Sequence, residues 1–244
     1  MSPVIVTAST EMEVSLLISG CSALPVAGFD HPGVYRGERG GSEVIIGITG
    51  IGKVNAAYAT TLLLERYTPR LLVNTGCGGA FPGSGLGVGD LAVASSESLA
   101  DEGVQTPQGW RGLDLIGIPV FEKRGEKVFN EIPLARDLAE QARFDAETRG
   151  YRTALGGFLT VSTCSGTAVR GTEMLQRFPG ICENMEGGAV AQVALIYGVP
   201  FLELRGISNL VEDRDFRRWN LQLAVTNAQQ FLLTYLDNLN ARQQ

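Results

Sequence analysis

Residues Ile181–Asp215 read ICENMEGGAVAQVALIYGVPFLELRGISNLVEDRD, and the rest of the chain is organised around them. Glu186 stands where a loop meets a helix, which the pattern predicts over Ala189–Tyr197. Gly198 is placed to cap that helix, and Pro200 follows to stop it. The apolar run Phe201–Arg205 reads as a buried strand. It ends in Arg205-Gly206-Ile207-Ser208-Asn209, a polar cluster at a strand's carboxyl end, where open α/β sheets hold their ligands. Glu186 and Asn209, distant in sequence, are therefore candidates for one cleft.

The same alternation runs outward in both directions. Pro3–Thr7, Glu43–Ile48, Leu71–Asn74, Asp90–Ser95 and Phe158–Ser162 read as strands. Val14–Ile18, Val54–Tyr67, Ile132–Gly150, Glu173–Phe178 and Asn220–Leu239 read as helices. Gly28–Gly41 reads as a hairpin region, Leu99–Trp110 as a loop and candidate lid, and Arg111–Phe129 carries little signal. No repeat, low-complexity tract or linker interrupts the pattern. Strand–helix alternation over 244 residues predicts one α/β domain, 1–244, around a central, mainly parallel sheet.

Composition narrows the function. Net charge is −6 at pH 7, which disfavours a nucleic-acid or anionic-membrane partner. No apolar run reaches the roughly 18 residues of a membrane span, and the N-terminus lacks the basic start of a signal peptide. Cys21, Cys77, Cys164 and Cys182 show no C-x-x-C spacing and read as reduced, cytoplasmic thiols. The single histidine, His31, would have to carry any histidine-based triad or metal site, so no metal or other cofactor is expected.

Three polar turns carry possible chemistry. Thr10 and Glu13 have capping-box spacing, so Glu13 is either a helix cap or a carboxylate placed to act as a base. Gly47–Val54 resembles a phosphate loop, but Val54 stands where the magnesium-binding hydroxyl is needed, and the third glycine of a dinucleotide fingerprint is missing. A tight strand-to-helix turn is the simpler reading. Thr75–Ala80 (TGCGGA) and Thr163–Thr167 (TCSGT) are small and polar at strand ends, where backbone can approach a ligand closely.

Taken together, Thr7–Val14 (TASTEMEV), Thr49–Val54 (TGIGKV), Asn74–Ala80 (NTGCGGA), Asn184–Ala191 (NMEGGAVA) and Val199–Asn209 (VPFLELRGISN) resemble the purine nucleoside phosphorylase/5′-methylthioadenosine nucleosidase superfamily, in order and spacing. The resemblance implies a three-layer α/β/α sandwich around a mixed, mainly parallel sheet, and cleavage of the N-glycosidic bond of a purine nucleoside. It implies that Glu13 activates the attacking water, that Glu186, beside Met185, binds the ribose hydroxyls, and that Asn209 meets the purine N7. Cys77 stands where the nucleosidases have a serine near the sugar. Arg205 matches an arginine supporting the base-binding acid, and Ile51 a wall near the 5′ substituent. Gly78, Gly166 and Thr167 complete the substrate-binding set. A small-molecule purine nucleoside is the implied ligand, and a homodimer or larger homo-oligomer the implied assembly.

Within the superfamily, hydrolysis is preferred over phosphorolysis. Asn74 replaces the arginine that precedes the glycine turn of hexameric phosphorylases, and TASTEME replaces their Gly-Asp-Pro-x-Arg pattern. Asn209 favours a 6-oxopurine, because an amide can donate to O6 while accepting the proton that N7 acquires. On Val161–Thr167, Met185–Gly188 and Arg205–Asp215 the sequence is similar to the futalosine hydrolases of menaquinone biosynthesis, implying hypoxanthine and dehypoxanthine futalosine as products. Methylthioadenosine/S-adenosylhomocysteine nucleosidase is the alternative, followed by a 6-oxopurine nucleoside phosphorylase and a non-catalytic nucleoside-binding protein. For the 5′ carboxylate of futalosine, Arg170, Arg217 and Arg218 are the candidates.

Overall fold

The computed structural model describes residues 2–29 and 33–240; His31 lies outside the described residues. The strands are β1 (Val4–Ala8), β2 (Leu24–Pro25), β3 (Gly33–Arg39), β4 (Ser42–Ile48), β5 (Leu71–Ala80), β6 (Leu91–Leu99), β7 (Val104–Thr106), β8 (Gly109–Arg111), β9 (Phe121–Lys123), β10 (Glu126–Val128), β11 (Glu131–Pro133), β12 (Thr153–Thr160), β13 (Cys182–Asn184) and β14 (Phe201–Leu210). The helices are α1 (Ser15–Gly20), α2 (Lys53–Arg66), α3 (Arg136–Thr148), α4 (Ala168–Arg177), α5 (Gly187–Tyr197) and α6 (Leu221–Asn238).

One mixed sheet runs β11-β6-β12-β13-β5-β1-β4-β3-β2, and β14 pairs with both β5 and β6. Because β14 bridges those two, the strands β5, β13, β12, β6 and β14 close a ring at one end of the sheet. Side chains alternate across a strand, and the packing follows that period. Val4 and Val6 of β1 join Val44, Ile46 and Val73 against Phe231, Leu232 and Tyr235 of α6 and the alanines of α3. Ile5 joins Ile45 and Leu72 against Leu63 of α2 and Val190, Ala191 and Ala194 of α5. Helices thus cover both faces, the three-layer α/β/α arrangement expected from the sequence.

Helix α5 is apolar but for Gln192 and Tyr197 and is buried over most of Gly187–Ala194, as a helix wedged between sheet and α2 must be, while Ile196 and Tyr197 at its end are exposed. Gly198 closes it in the left-handed conformation, φ 68°. A β-carbon on Gly187 would lie 2.2 Å from Glu97 Oε1, and one on Gly188 would lie 2.8 Å from Leu99 Cδ2. The paired glycines after Glu186 therefore let the helix start press against the ring of strands.

Several local expectations need correction. The polar clusters Thr75–Ala80 and Arg205–Asn209 lie inside β5 and β14, since the two strands pair with each other there, with β13 adding a partner at Gly79 and Ala80 and β6 at Arg205 and Gly206. The third helix begins at Arg136, and Glu131–Pro133 pairs with β6 instead. The fourth is longer than Glu173–Phe178, because Thr167 caps it by accepting the Arg170 N–H. Leu99–Trp110 holds β7 and the start of β8, and Arg111–Phe129 holds the hairpin of β9 and β10. Strand β13 is too short to give a periodic signal.

Candidate active site

The carboxyl ends of β1, β5, β13 and β14 converge on a cleft of about 310 Å³. Glu13, Ile51, Cys77, Gly78, Met185, Glu186 and Asn209 all line it. Ser9, Thr10, Met12, Gly79, Cys164, Ser165, Glu183, Asn184, Ser208, Arg214, Trp219 and Leu221 complete the wall. A larger cavity of about 530 Å³ between Trp110, Arg111 and Arg177 shares no residue with it. There Trp110 packs edge-on against Phe178 and under the Arg177 guanidinium. The segment Leu99–Trp110 accordingly contributes no wall to the cleft.

Glu13 is 3% exposed and closes the short turn after β1. Its Oε2 accepts from Ser9 Oγ at 2.6 Å, and from Thr10 N and Thr10 Oγ1, each at 2.9 Å. Its Oε1 accepts one hydrogen bond, 3.0 Å from Cys77 N. The capping and functional readings of Glu13 thus fall on different oxygens: Oε2 ties the turn, and Oε1 keeps capacity for a further donor. Gly76 makes this possible, since a β-carbon there would meet Glu13 Oε1 at 2.5 Å and Arg205 Nη1 at 2.9 Å, and its φ is +148°.

Glu186 precedes α5 and is 5% exposed. Gly52 N donates to its Oε1 at 2.9 Å, and Arg205 Nη1 approaches its Oε2 at 3.5 Å. The Gly50–Lys53 turn therefore serves to orient a carboxylate. Lys53 points elsewhere, 2.8 Å from both Asp101 and Glu102, so it is not held as a phosphate-loop lysine would be.

Asn209 follows an irregularity in β14, where Ile207 pairs with Gly78 and Asn209 with Gly79. Its Nδ2 donates to Leu210 O at 3.0 Å, and its Oδ1 accepts from Ser208 Oγ at 2.8 Å. One N–H and one lone pair of the amide remain. Gly79 also pairs with Glu183 across β13, so Glu183 and Asn209 flank one glycine on adjacent strands. Ser165 donates to both oxygens of Glu183, from N at 2.8 Å and from Oγ at 2.6 Å, and burial pushes this carboxyl above its usual range.

Arg205 lies beneath the cleft, 1% exposed. It reaches Glu203, Asn74, Cys77 O and Glu186. The resemblance has it support the base-binding acid; its contacts run instead to Glu186 and Glu203, and none to Asn209 is formed. Gly166 and Thr167 do not line the cleft either. Gly166 O accepts from Arg214 N and Thr167 caps α4, and their neighbours Cys164 and Ser165 face the space. Of the arginines considered for an anionic substituent, Arg170 pairs with Glu173, Arg217 with Asp215 and Arg218 with Glu212. Arg214, which lies within the Arg205–Asp215 stretch but is not among those candidates, lines the cleft between the rings of Phe216 and Trp219, 5.0 and 4.6 Å from their centres. Glu183 was equally silent in the sequence, and only its place in β13 reveals it.

The model of the phosphorylase superfamily matches residues 3–237. The 5′-methylthioadenosine/S-adenosylhomocysteine nucleosidase of Halalkalibacterium halodurans is 32% identical over 214 residues, 86% of each chain. The futalosine hydrolase of Acidothermus cellulolyticus is 34% identical over 193 residues, 78% of this chain and 74% of that one. Among solved structures, the Neisseria meningitidis methylthioadenosine/S-adenosylhomocysteine nucleosidase in complex with methylthio-immucillin-A superposes with a TM-score of 0.83 at 24% identity, covering 98% of this chain and 100% of that one. The Colwellia psychrerythraea nucleosidase, in complex with adenine, gives 0.80 at 26% identity over 98% and 96%. The chain belongs to the phosphorylase superfamily.

Proposed function

We propose that this member of the phosphorylase superfamily is an N-glycosyl hydrolase that cleaves a 6-oxopurine nucleoside, futalosine being the substrate that fits best. The observation that carries the choice of base is Asn209. Its remaining N–H can donate to O6, and its remaining lone pair can accept the proton that N7 acquires as the C1′–N9 bond breaks. Glu183, on the other side of Gly79, is a carboxyl that can accept the N1–H carried by hypoxanthine and absent from adenine.

The hydrolysis follows from the three carboxylate and amide positions. Glu186 accepts hydrogen bonds from the vicinal ribose hydroxyls and faces the positive charge that develops on the sugar. Glu13 Oε1 takes a proton from the attacking water as its oxygen bonds to C1′. The electron pair of the broken bond passes to the purine, N7 takes a proton from a solvent water, and Asn209 Oδ1 accepts the hydrogen bond of the resulting N7–H. Water is favoured over phosphate as nucleophile because Arg214 is the one cationic side chain among the lining residues, and phosphate needs clustered cationic donors.

A second reading is supported by the names of most relatives compared above: cleavage of methylthioadenosine or S-adenosylhomocysteine. Product assays on futalosine, inosine and methylthioadenosine, with and without phosphate, separate the two. Release of hypoxanthine from futalosine without phosphate is the expected result. Faster release of adenine from methylthioadenosine would overturn the choice of base, and phosphate dependence with a sugar-phosphate product would overturn hydrolysis. For assembly, the exposed apolar side chains Ile51, Val54 and Tyr58, at the cleft rim and on α2, are the surface that a homodimer would cover. No helix among the described residues is long and apolar enough to cross a membrane.

A further inference from the structure

Behind the cleft wall lies a second pair of carboxyl groups that the hydrolysis does not use. Glu97 of β6 and Glu203 of β14 are both fully buried, at 0% exposure. A β-carbon on Gly187 would lie 2.2 Å from Glu97 Oε1 and 2.3 Å from each Glu203 oxygen. The two carboxyls thus converge on one point, directly under the first residue of α5. Thr160 Oγ1 donates to Glu97 Oε2 at 2.7 Å, and Asn184 Nδ2 donates to Glu97 Oε1 at 2.7 Å. Arg205 donates to Glu203 Oε1 from Nε at 3.0 Å. Glu203 Oε2 is buried with no donor.

That arrangement fits one proton between two acids. Arg205 is the cation in contact with the pair, and it also serves Glu186. Two ionised carboxylates side by side without water would repel, and a buried oxygen with no donor is costly. A hydrogen placed between Glu203 Oε2 and Glu97 Oε1 removes both penalties at once. The remaining groups facing the pair are the Cys182 thiol on β13, which burial holds neutral, Glu186 at the start of α5, and Glu13, which faces Arg205. Burial pushes both members above the usual carboxylate range; the charge of Glu203 pushes Glu97 further up, while Arg205 opposes the rise at Glu203.

The pair is connected to the cleft by two short paths. Asn184, oriented by Glu97, turns its Oδ1 to accept the N–H of Glu186 at 3.0 Å and of Gly187 at 2.7 Å. Arg205, anchored by Glu203, extends Nη1 to the Glu186 carboxylate at 3.5 Å. One path fixes the main chain of Glu186 and the other its side chain.

We propose that Glu97 and Glu203 act as one buried acid sharing a single proton, and that they are positioning residues for Glu186. The positioning half rests on the reading of Glu186 as the ribose ligand. Glu203→Gln is the isosteric test: the amide nitrogen can donate where the shared proton lies, and its carbonyl can accept from Arg205. In the wild type the folded pair holds its proton more tightly than the unfolded chain. Its contribution to stability is therefore full below the ordinary carboxylate range and is lost as pH rises through the pair's folded value.

The experiment compares wild type, Glu203→Gln and Glu203→Ala. Infrared spectra at neutral pH should show a protonated-carboxyl stretch in the wild type that Glu203→Gln removes. The Tm advantage of Glu203→Gln over wild type should widen as pH rises. Glu203→Ala should lower kcat/KM for the nucleoside by about tenfold to a hundredfold, as displaced catalytic groups do, and Glu203→Gln should restore it with both KM and kcat near wild type. An unchanged infrared difference or a pH-independent Tm gap would overturn the shared proton. A glutamine variant as impaired as the alanine one would overturn the positioning role. If Glu203→Ala does not fold, the infrared and thermal comparisons still decide the shared proton, and the KM of Glu203→Gln decides the positioning. A chain that failed to hydrolyse any purine nucleoside would overturn the positioning half through Glu186, and leave the infrared and thermal results to decide the acid pair.

Discussion

The main-chain N–H of Cys77 donates to Glu13 Oε1 at 3.0 Å. Glu13, the general base of the mechanism proposed above, is thus held by the backbone of a residue whose own side chain is a thiol. Burial and the neighbouring Glu13 push the Cys77 thiol up to about 12, so it stays neutral near pH 7.

Cys77→Ser should therefore leave kcat/KM within about 1 kcal/mol of wild type, a factor of roughly five. In the folded protein, exposed Cys164 should be alkylated before Cys77, as peptide mass spectrometry after brief iodoacetamide treatment would report. A large loss of activity in Cys77→Ser would mean that the thiol, and not only its N–H, acts on the substrate.

Glu13→Gln should retain nucleoside binding and lose hydrolysis by ~10²–10⁴-fold, the usual worth of a general base. Because Oε2 accepts from three donors and Oε1 from one, an amide NH₂ must also face at least one N–H or O–H, and a small drop in Tm should accompany the kinetic loss. Calorimetric binding alongside turnover separates the two effects. Near-normal turnover would reduce Glu13 to its capping role.

Asn209→Asp should shift preference from futalosine towards its 6-amino analogue aminofutalosine. Ser208 Oγ already donates to Oδ1; the carboxylate would keep that contact, lose the N–H offered to O6, and gain an acceptor for an exocyclic NH₂. The ratio of kcat/KM values should move by roughly tenfold to several hundredfold, from about 1–3 kcal/mol of rearranged hydrogen bonding. An unchanged ratio would remove Asn209 as the reader of the base.

Arg214→Gln should raise KM for a nucleoside whose 5′ substituent ends in a carboxylate and leave inosine nearly unchanged. Among the described residues Arg214 forms no salt bridge, whereas Arg170, Arg217 and Arg218 are each paired with an acid. Its guanidinium is already oriented by the rings of Phe216 and Trp219. Equal effects on both substrates would assign Arg214 to packing of the cleft mouth.

The sequence by itself carried the alternation of strands and helices, because burial on one side of a strand or helix imposes a period that survives in a single chain. It also marked Glu13, Glu186 and Asn209, since each stands at a glycine- or cap-rich junction that propensity alone makes conspicuous. Tertiary structure decided what those junctions do. Glycine-rich Thr75–Ala80 reads locally as a turn, yet β14 along its length and β13 at Gly79 and Ala80 make it strand, because pairing energy from non-local neighbours outweighs local preference. The same pairing sets Glu183 and Asn209 on either side of Gly79, and the contact of β14 with β6 brings Glu97 near Glu203 across 106 residues of chain. No short-range pattern records such proximity, because a buried acid becomes distinctive only through the groups that the fold places around it.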